Sequence, residues 1–496
     1  MALAVLVRTD AAERRLDAVL IFGTLFIVAM VSAVGGTAEG YGTDELAYGQ
    51  AAASALLHGV NPYTADFTSA LHSFGVASGA TMTLHGTVVP SIAYPSPSFL
   101  VYVPAVALLG DQSYAAFFTD IIAWIVSGAL LWRMLSPSLR PWVPIFLAVP
   151  VLLVSIVGGT NDSLYVPFEL LALCCWDRFG DPSERSIARW IGPVALGLAC
   201  GMKQHPWLIA PFLAAGVGFE AHTRGQDGRR VALRYVVVAS AVFLVPNIPF
   251  ILWGPSGWFS RILLPVTGGL VPMGIGPAGL LRAYSIGGGN LAMFGLASVA
   301  ALFGVMVLFV RRYGVLRQLI PLLPLAALFV SSRNFSSYFA FGVPALAVGA
   351  ASLRASRGPG VRRSLHRPLS AVAALAGAVS LAAVTAALAW PAPASVAVDR
   401  TQLTATHLDT TVHVTNSSDR TITPHFILAK GSAYDQAMQI VNGPATLAPH
   451  STTSLDLTTP VGVMTPRAGD SFQVQVATTA PDSFASSPVT KVPTGT

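Results

Sequence analysis

The chain has 496 residues, 53% of them hydrophobic and only 10% charged, and its mean hydropathy is +0.63. A soluble domain carries roughly 25% charged residues, so this composition excludes a water-soluble enzyme and requires a bilayer as solvent for the long apolar runs. The 29 Lys+Arg against 23 Asp+Glu leave a formal charge of +6, and where those cations fall says more than their sum.

The first apolar run, 16–34, follows Arg8, Arg14 and Arg15 and lacks a small-residue cleavage motif. It reads as a retained spanning helix with its N-terminus inside. Further spanning candidates lie near 114–134, 142–157, 163–177, 188–202, 206–220, 231–253, 291–310, 318–331, 338–353 and 369–390, about eleven in all. The stretch 96–109 contains Pro97 and Pro104 and falls short of the roughly 20 residues a spanning helix needs, so it is expected to be re-entrant or interfacial. That choice keeps 20 of the 29 basic residues inside, in keeping with the positive-inside rule. Lys203, Arg261, Arg282 and Arg333 are left near the outer face as candidates for function.

Two outer loops, 35–113 and 254–290, are long, and long ordered loops are usually functional. Composition changes abruptly at Pro391-Ala392-Pro393. Beyond it, Val412 and Val414, Leu455 and Leu457, and Phe472, Val474 and Val476 alternate with polar residues at the period of a strand. The expected architecture is a polytopic α-helical membrane domain, 1–390, followed by an extracytoplasmic β-sandwich, 391–496, in the cytoplasmic (inner) membrane. Cys174, Cys175 and Cys200 lie in apolar segments, so no disulfide or thiolate metal site is read. The basic stretch 354–367 is a topology anchor rather than a nucleic-acid site, and no phosphate-cradling glycine loop supports nucleotide chemistry.

Chemistry concentrates in the outer segments. Asp44 and Glu45 follow the first spanning helix at the membrane surface, where partial desolvation raises a carboxylate's basicity toward that of a general base. The same pair also suits the first turn of a helix capped by Thr43. Asn161 and Asp162 return a polar turn to the outer face, or cap a helix there. In Gly201-Met202-Lys203-Gln204-His205-Pro206, a lysine ends an apolar helix and needs either an anion or a snorkelling path to the headgroups. With Arg261, Arg282 and Arg333 it forms a cation set suited to a lipid-linked phosphate. His58, His72 and His85 lack the spacing of a helical ligand pair, so no metal site is assigned, although Asp44 and Glu45 together can hold one divalent ion.

The order of these features resembles the C-type membrane glycosyltransferases that use polyprenyl-phosphate sugars, in particular the bacterial mannosyl- and arabinofuranosyltransferase-like branch. The matching residues are Thr43-Asp44-Glu45, Leu56 to Tyr63 with its His58-Gly59-Val60-Asn61-Pro62-Tyr63 end, Tyr94-Pro95-Ser96-Pro97, Asn161-Asp162, and Gly197 to Pro206. The resemblance covers roughly residues 16–350. It implies an inverting transfer of mannose or arabinofuranose from a polyprenyl-phosphate donor to a cell-envelope glycan or glycolipid acceptor, at the outer face and among membrane lipids. It further implies Asp44 as the catalytic base with Glu45 as fallback, and Lys203, His205, Arg282 and Arg333 around the donor phosphate. Asn61, Tyr63, Tyr94, Asn161 and Asp162 would line the sugar and acceptor groove. Gln204-His205 stands between Lys203 and Pro206, where many relatives have Lys-Pro adjacent. A transporter or flippase of lipid-linked sugars, which would place its charges at mid-bilayer and repeat broken helices in two halves, and a nonenzymatic scaffold of envelope assembly, which would need none of this carboxylate and cation set, are the competing classes.

Overall fold

The computed structural model describes residues 10–76, 80–111, 114–147, 160–184, 186–267, 269–352, 366–404, 407–430, 434–460 and 466–493. Among these, five helices are long and apolar enough to cross a membrane: Ala12–Val34, Ala115–Met134, Gly228–Trp253, Ala292–Arg311 and Leu369–Ala389. Each coincides with a run read from the sequence. Their outward residues are apolar and open, with Phe26, Leu252, Val299 and Leu381 all exposed, which water penalises and lipid does not. The chain is a membrane protein with a β-rich C-terminal region.

The expectation of about eleven spans is corrected. Val166–Cys175 has 10 residues, Ile191–Met202 has 12, Ala210–Thr223 has 14 and Ser336–Ser352 has 17. At 1.5 Å per residue a 12-residue helix covers about 18 Å of a roughly 30 Å hydrocarbon layer. Proline is the reason that three of these runs are short. Pro167, Pro193 and Pro211 each stand in a first turn, where the missing N–H costs nothing, so an apolar stretch that looks continuous restarts there. The 318–331 run breaks into the turn Arg317–Leu319 and the five-residue helix Leu325–Phe329, with Pro321 and Pro324 between. Of the 142–157 run only the part up to Leu147 lies among the described residues, as do none of Arg354, Arg357, Arg362 and Arg363. The 96–109 stretch is two short helices, Pro97–Leu100 and Val103–Leu109, too short to span as expected.

Most of the helices up to Ser352 share one apolar core. Trp124 and Tyr165 each pack edge-on against Phe341, and Gly128 allows the close approach of Leu25, whose Cδ1 would lie 2.5 Å from any added Cβ. Two short strands, β1 (Met273–Gly274) and β2 (Arg333–Asn334), pair in parallel within this part of the chain.

Beyond Trp390 follow β3 (Ala394–Leu403), β4 (Leu408–Asn416), β5 (His425–Lys430), β6 (Tyr434–Asn442), β7 (Ser451–Thr458), β8 (Ser471–Thr479), β9 (Asp482–Ser486) and β10 (Thr490–Lys491). The strand order is β10-β8-β5-β6-β7-β4-β3, with β9 pairing β8 along the same edge as β10, opposite β5. β6 pairs β5 with its first half and β7 with its second, so the sheet bends there and its two halves face one core of Val412, Val414, Leu455, Leu457, Phe472, Val474 and Val476. The inward set is the alternation read from the sequence. A third apolar cluster joins this region to the helical part: Met82, Leu84, Val271 and Leu281 meet Ile427, Ala477 and Phe484.

Candidate active site

Asp44 and Glu45 open the helix Asp44–Leu57, an Ala-rich segment with acid in its first turn. Thr43 occupies the cap position in extended backbone but makes no side-chain capping bond, so that part of the expectation is corrected. Successive helical residues point about 100° apart, and the two carboxylates accordingly enter different surroundings. They diverge, Asp44 toward Thr81 and Glu45 toward Tyr94 and Lys203.

Glu45 is the paired one. Its Oε1 accepts the Tyr94 hydroxyl at 2.7 Å, its Oε2 accepts the Asn161 main-chain N–H at 3.0 Å, and both oxygens lie 3.1 Å from Lys203 Nζ. Lys203 also donates to Asn161 Oδ1 at 3.0 Å and to Asp162 Oδ1. Only 3% exposed, the ammonium spends its three N–H groups on Glu45, Asn161 and Asp162. Burial favours its neutral form, yet Asp162 and then Glu45 hold it well above the ordinary lysine value, so it stays charged. Lys203, expected at a donor phosphate, is the centre of an internal hub that ties three separate segments together.

Local sequence explains how the lysine arrives there. Lys203 ends the Ile191–Met202 helix in extended backbone, and Gly201 before it lets Pro97 approach to where a Cβ would sit 2.8 Å from its ring. Gln204 then donates to Ala93 O at 2.6 Å and Ile262 O at 3.2 Å, which gives the residue inserted before Pro206 a tethering role. Ser96 is anchored on the long Gly228–Trp253 helix, its N–H bonded to Asn247 Oδ1 at 2.9 Å, and this places Tyr94. Tyr94 and Tyr338 both present ring faces to Lys203, at 5.2 and 5.6 Å.

Asp44 stands apart from this hub. Its Oδ2 accepts the Thr81 main-chain N–H at 2.7 Å, and among the described residues no cation forms a salt bridge with it. Burial pushes its pKa up to about 6, against the Thr81 hydrogen bond that pulls it down; Glu45 adds to the rise, and the Arg333 charge opposes it slightly. Arg333 is held nearby by β2, donating to Val271 O at 3.0 Å with its guanidinium over Phe335.

The remaining expected residues divide. His205 lies beside the hub, stacked on Tyr338 with Nδ1 3.1 Å from the Tyr165 hydroxyl; burial and Lys203 push it down to about 3, so it is neutral. An uncharged imidazole offers a phosphate a hydrogen bond but no charge. Arg282 sits at the junction with the β region, its carbonyl accepting Ser486 Oγ at 2.7 Å. Asn61 and Tyr63 are structural: Asn61 Oδ1 takes the Tyr63 N–H at 3.0 Å, and the Tyr63 ring packs between Phe99 and Phe250 with its hydroxyl on Tyr94 O at 2.9 Å. Tyr63 is 1% exposed.

Sequence reasoning missed Thr81, Tyr338 and Asp120. Asp120, buried in the Ala115–Met134 helix, accepts Ser163 Oγ at 2.7 Å and the Tyr102 hydroxyl at 3.2 Å, extending the polar cluster beyond Asp162. A carboxylate in the middle of an apolar run was the available signal. Thr81 acts through its backbone and carried none. Among the described residues no group of three or more His, Cys, Asp and Glu stands close enough to hold a metal ion. Comparison of the chain with protein-family models, curated proteins and solved structures yields no match.

Proposed function

We propose that this chain is an inverting membrane glycosyltransferase that moves a sugar from a polyprenyl-phosphate donor to a hydroxyl of an envelope glycan or glycolipid at the outer face of the membrane. The observation that carries the reading is the contrast between two neighbouring carboxylates: Glu45 is neutralised by Lys203, whereas Asp44, next in the chain, is buried without a paired cation and raised to about 6. A base with that affinity is mostly deprotonated near neutrality and still holds a proton well enough to accept one in the transition state.

In this reading Asp44 takes the proton of the acceptor hydroxyl as its oxygen attacks the anomeric carbon. The bond from that carbon to the phosphate oxygen breaks, and polyprenyl phosphate leaves from the opposite side. Arg333, whose charge already reaches Asp44, is the cation for the leaving phosphate, since the Lys203 donors are used internally. Mannose and arabinofuranose are the proposed donor sugars.

The test is transfer of radiolabelled sugar from synthetic polyprenyl-phosphate mannose and polyprenyl-phosphate arabinofuranose by purified protein, with and without chelator. Wild type should transfer one of the two, and Asp44→Asn should lose on the order of 10² to 10⁴ in rate while retaining donor binding. Full activity in Asp44→Asn would overturn the assignment of the base; binding of both lipids without transfer would favour a transporter.

A further inference from the structure

Three backbone segments run side by side behind Asp44. The hairpin at 81–89 closes through Thr83 N to Thr87 O at 2.8 Å and Val89 N to Thr81 O at 2.8 Å. Its first arm pairs with the next segment, Leu84 N to Gly269 O at 2.7 Å and Val271 N to Met82 O at 3.0 Å. That segment continues into β1, which pairs with β2 and so carries Arg333. One end of this ladder is thus the Thr81 amide on Asp44; the other is Arg333. Strands this short are marginal alone and need an apolar backing.

The backing comes in large part from the C-terminal region. Ile427, Ala477 and Phe484, all fully buried, close over Met82, Leu84, Val271, Ala278 and Leu281. The main chain is tied as well: Phe484 N bonds Gly288 O at 3.0 Å, Leu291 N bonds Asp482 O at 3.1 Å, and Ser486 binds Arg282 O and Ser285 Oγ on the Pro277–Tyr284 helix that follows β1. We propose that the β region is a positioning part of the catalytic site: seated through β5, β8 and β9, it fixes the ladder that presents the Thr81 amide to Asp44 and holds Arg333. This rests on the reading of Asp44 as general base, and it makes the region more than a separate glycan-binding module.

The experiment uses full-length protein carrying Phe484→Ala or the milder Ser486→Ala, with two readouts. Hydrogen exchange over 81–89 should become roughly tenfold faster in Phe484→Ala, and by a smaller factor in Ser486→Ala, while β4 and β7 keep their protection. Transfer should fall in kcat more than it rises in KM, and the acid limb of the pH profile should move upward, because a weakened Thr81 hydrogen bond no longer favours the ionised Asp44. A positioning role predicts that limb shift; simple loss of folded protein lowers activity without moving it. Unchanged exchange over 81–89 in both variants would overturn the proposal. Faster exchange in a chain whose wild type transfers no sugar would establish the mechanical coupling and retire the base reading, so the two failures are distinguishable.

Discussion

At the scale of single residues, the candidate site turns on two neighbouring acids that face different surroundings. Asp44 is raised because an ionised carboxylate is costly where water is excluded, and that cost has two measurable signs. Activity should rise with pH through about 6 as Asp44 loses its proton. Stability should move the other way: the folded state holds the proton more tightly than the unfolded one, so the Asp44 contribution is full below the ordinary aspartate range and is lost as pH climbs through the folded value. Asp44→Asn removes that penalty and should raise the melting temperature at pH 7.5, by the equivalent of roughly 2–3 kcal/mol, with the advantage gone near pH 4. Lys203 and Arg333 make the complementary comparison. Lys203→Met leaves Glu45 and Asp162 buried without their cation and should destabilise the protein by about 3–5 kcal/mol. Arg333→Gln, partly exposed, should leave the melting temperature within about 1 kcal/mol of wild type yet depress transfer. Equal thermal losses in the two variants would contradict the division of labour between hub and phosphate partner.

At the scale of elements, the polar segments were legible and their partners were not. Asn161-Asp162 and the Lys203 helix end stand out because charge in an apolar run is costly, and the structure brings both to Glu45. The Tyr63 motif stands out equally, and its ring is packed between Phe99 and Phe250 with the hydroxyl on Tyr94 O, since an aromatic ring with a polar tip serves a buried turn as well as a binding groove. Strand β1 had no periodic signal at all: two residues in a Gly- and Pro-rich loop. Its geometry depends on Gly274, which has φ +135° and lies so close to β2 that an added Cβ would stand 2.0 Å from Asn334 O. Gly274→Ala should therefore separate β1 from β2 and displace Arg333, with transfer lost and β4 and β7 still protected in hydrogen exchange. Retention of wild-type transfer by this variant would show that the β1–β2 pairing does not matter to the site.

Over the whole molecule, the chain's composition determined by itself that a bilayer is the solvent and that a strand-rich region follows the last apolar helix. Both are statements about burial against an average environment, and periodicity and hydropathy record that environment residue by residue. The number of full-length helices was decided otherwise. Prolines at 167, 193 and 211 restart helices inside apolar runs, and short segments such as Val166–Cys175 are accommodated because other protein, rather than lipid, surrounds them. Tertiary structure also decided that Lys203 serves Glu45 and Asp162, that Asp44 accepts a main-chain amide, and that the β region packs on the segments behind Asp44. Hydropathy reads one residue against its solvent; which carboxylate receives the single buried ammonium is set by distances between segments up to 158 positions apart, and no local pattern carries that information.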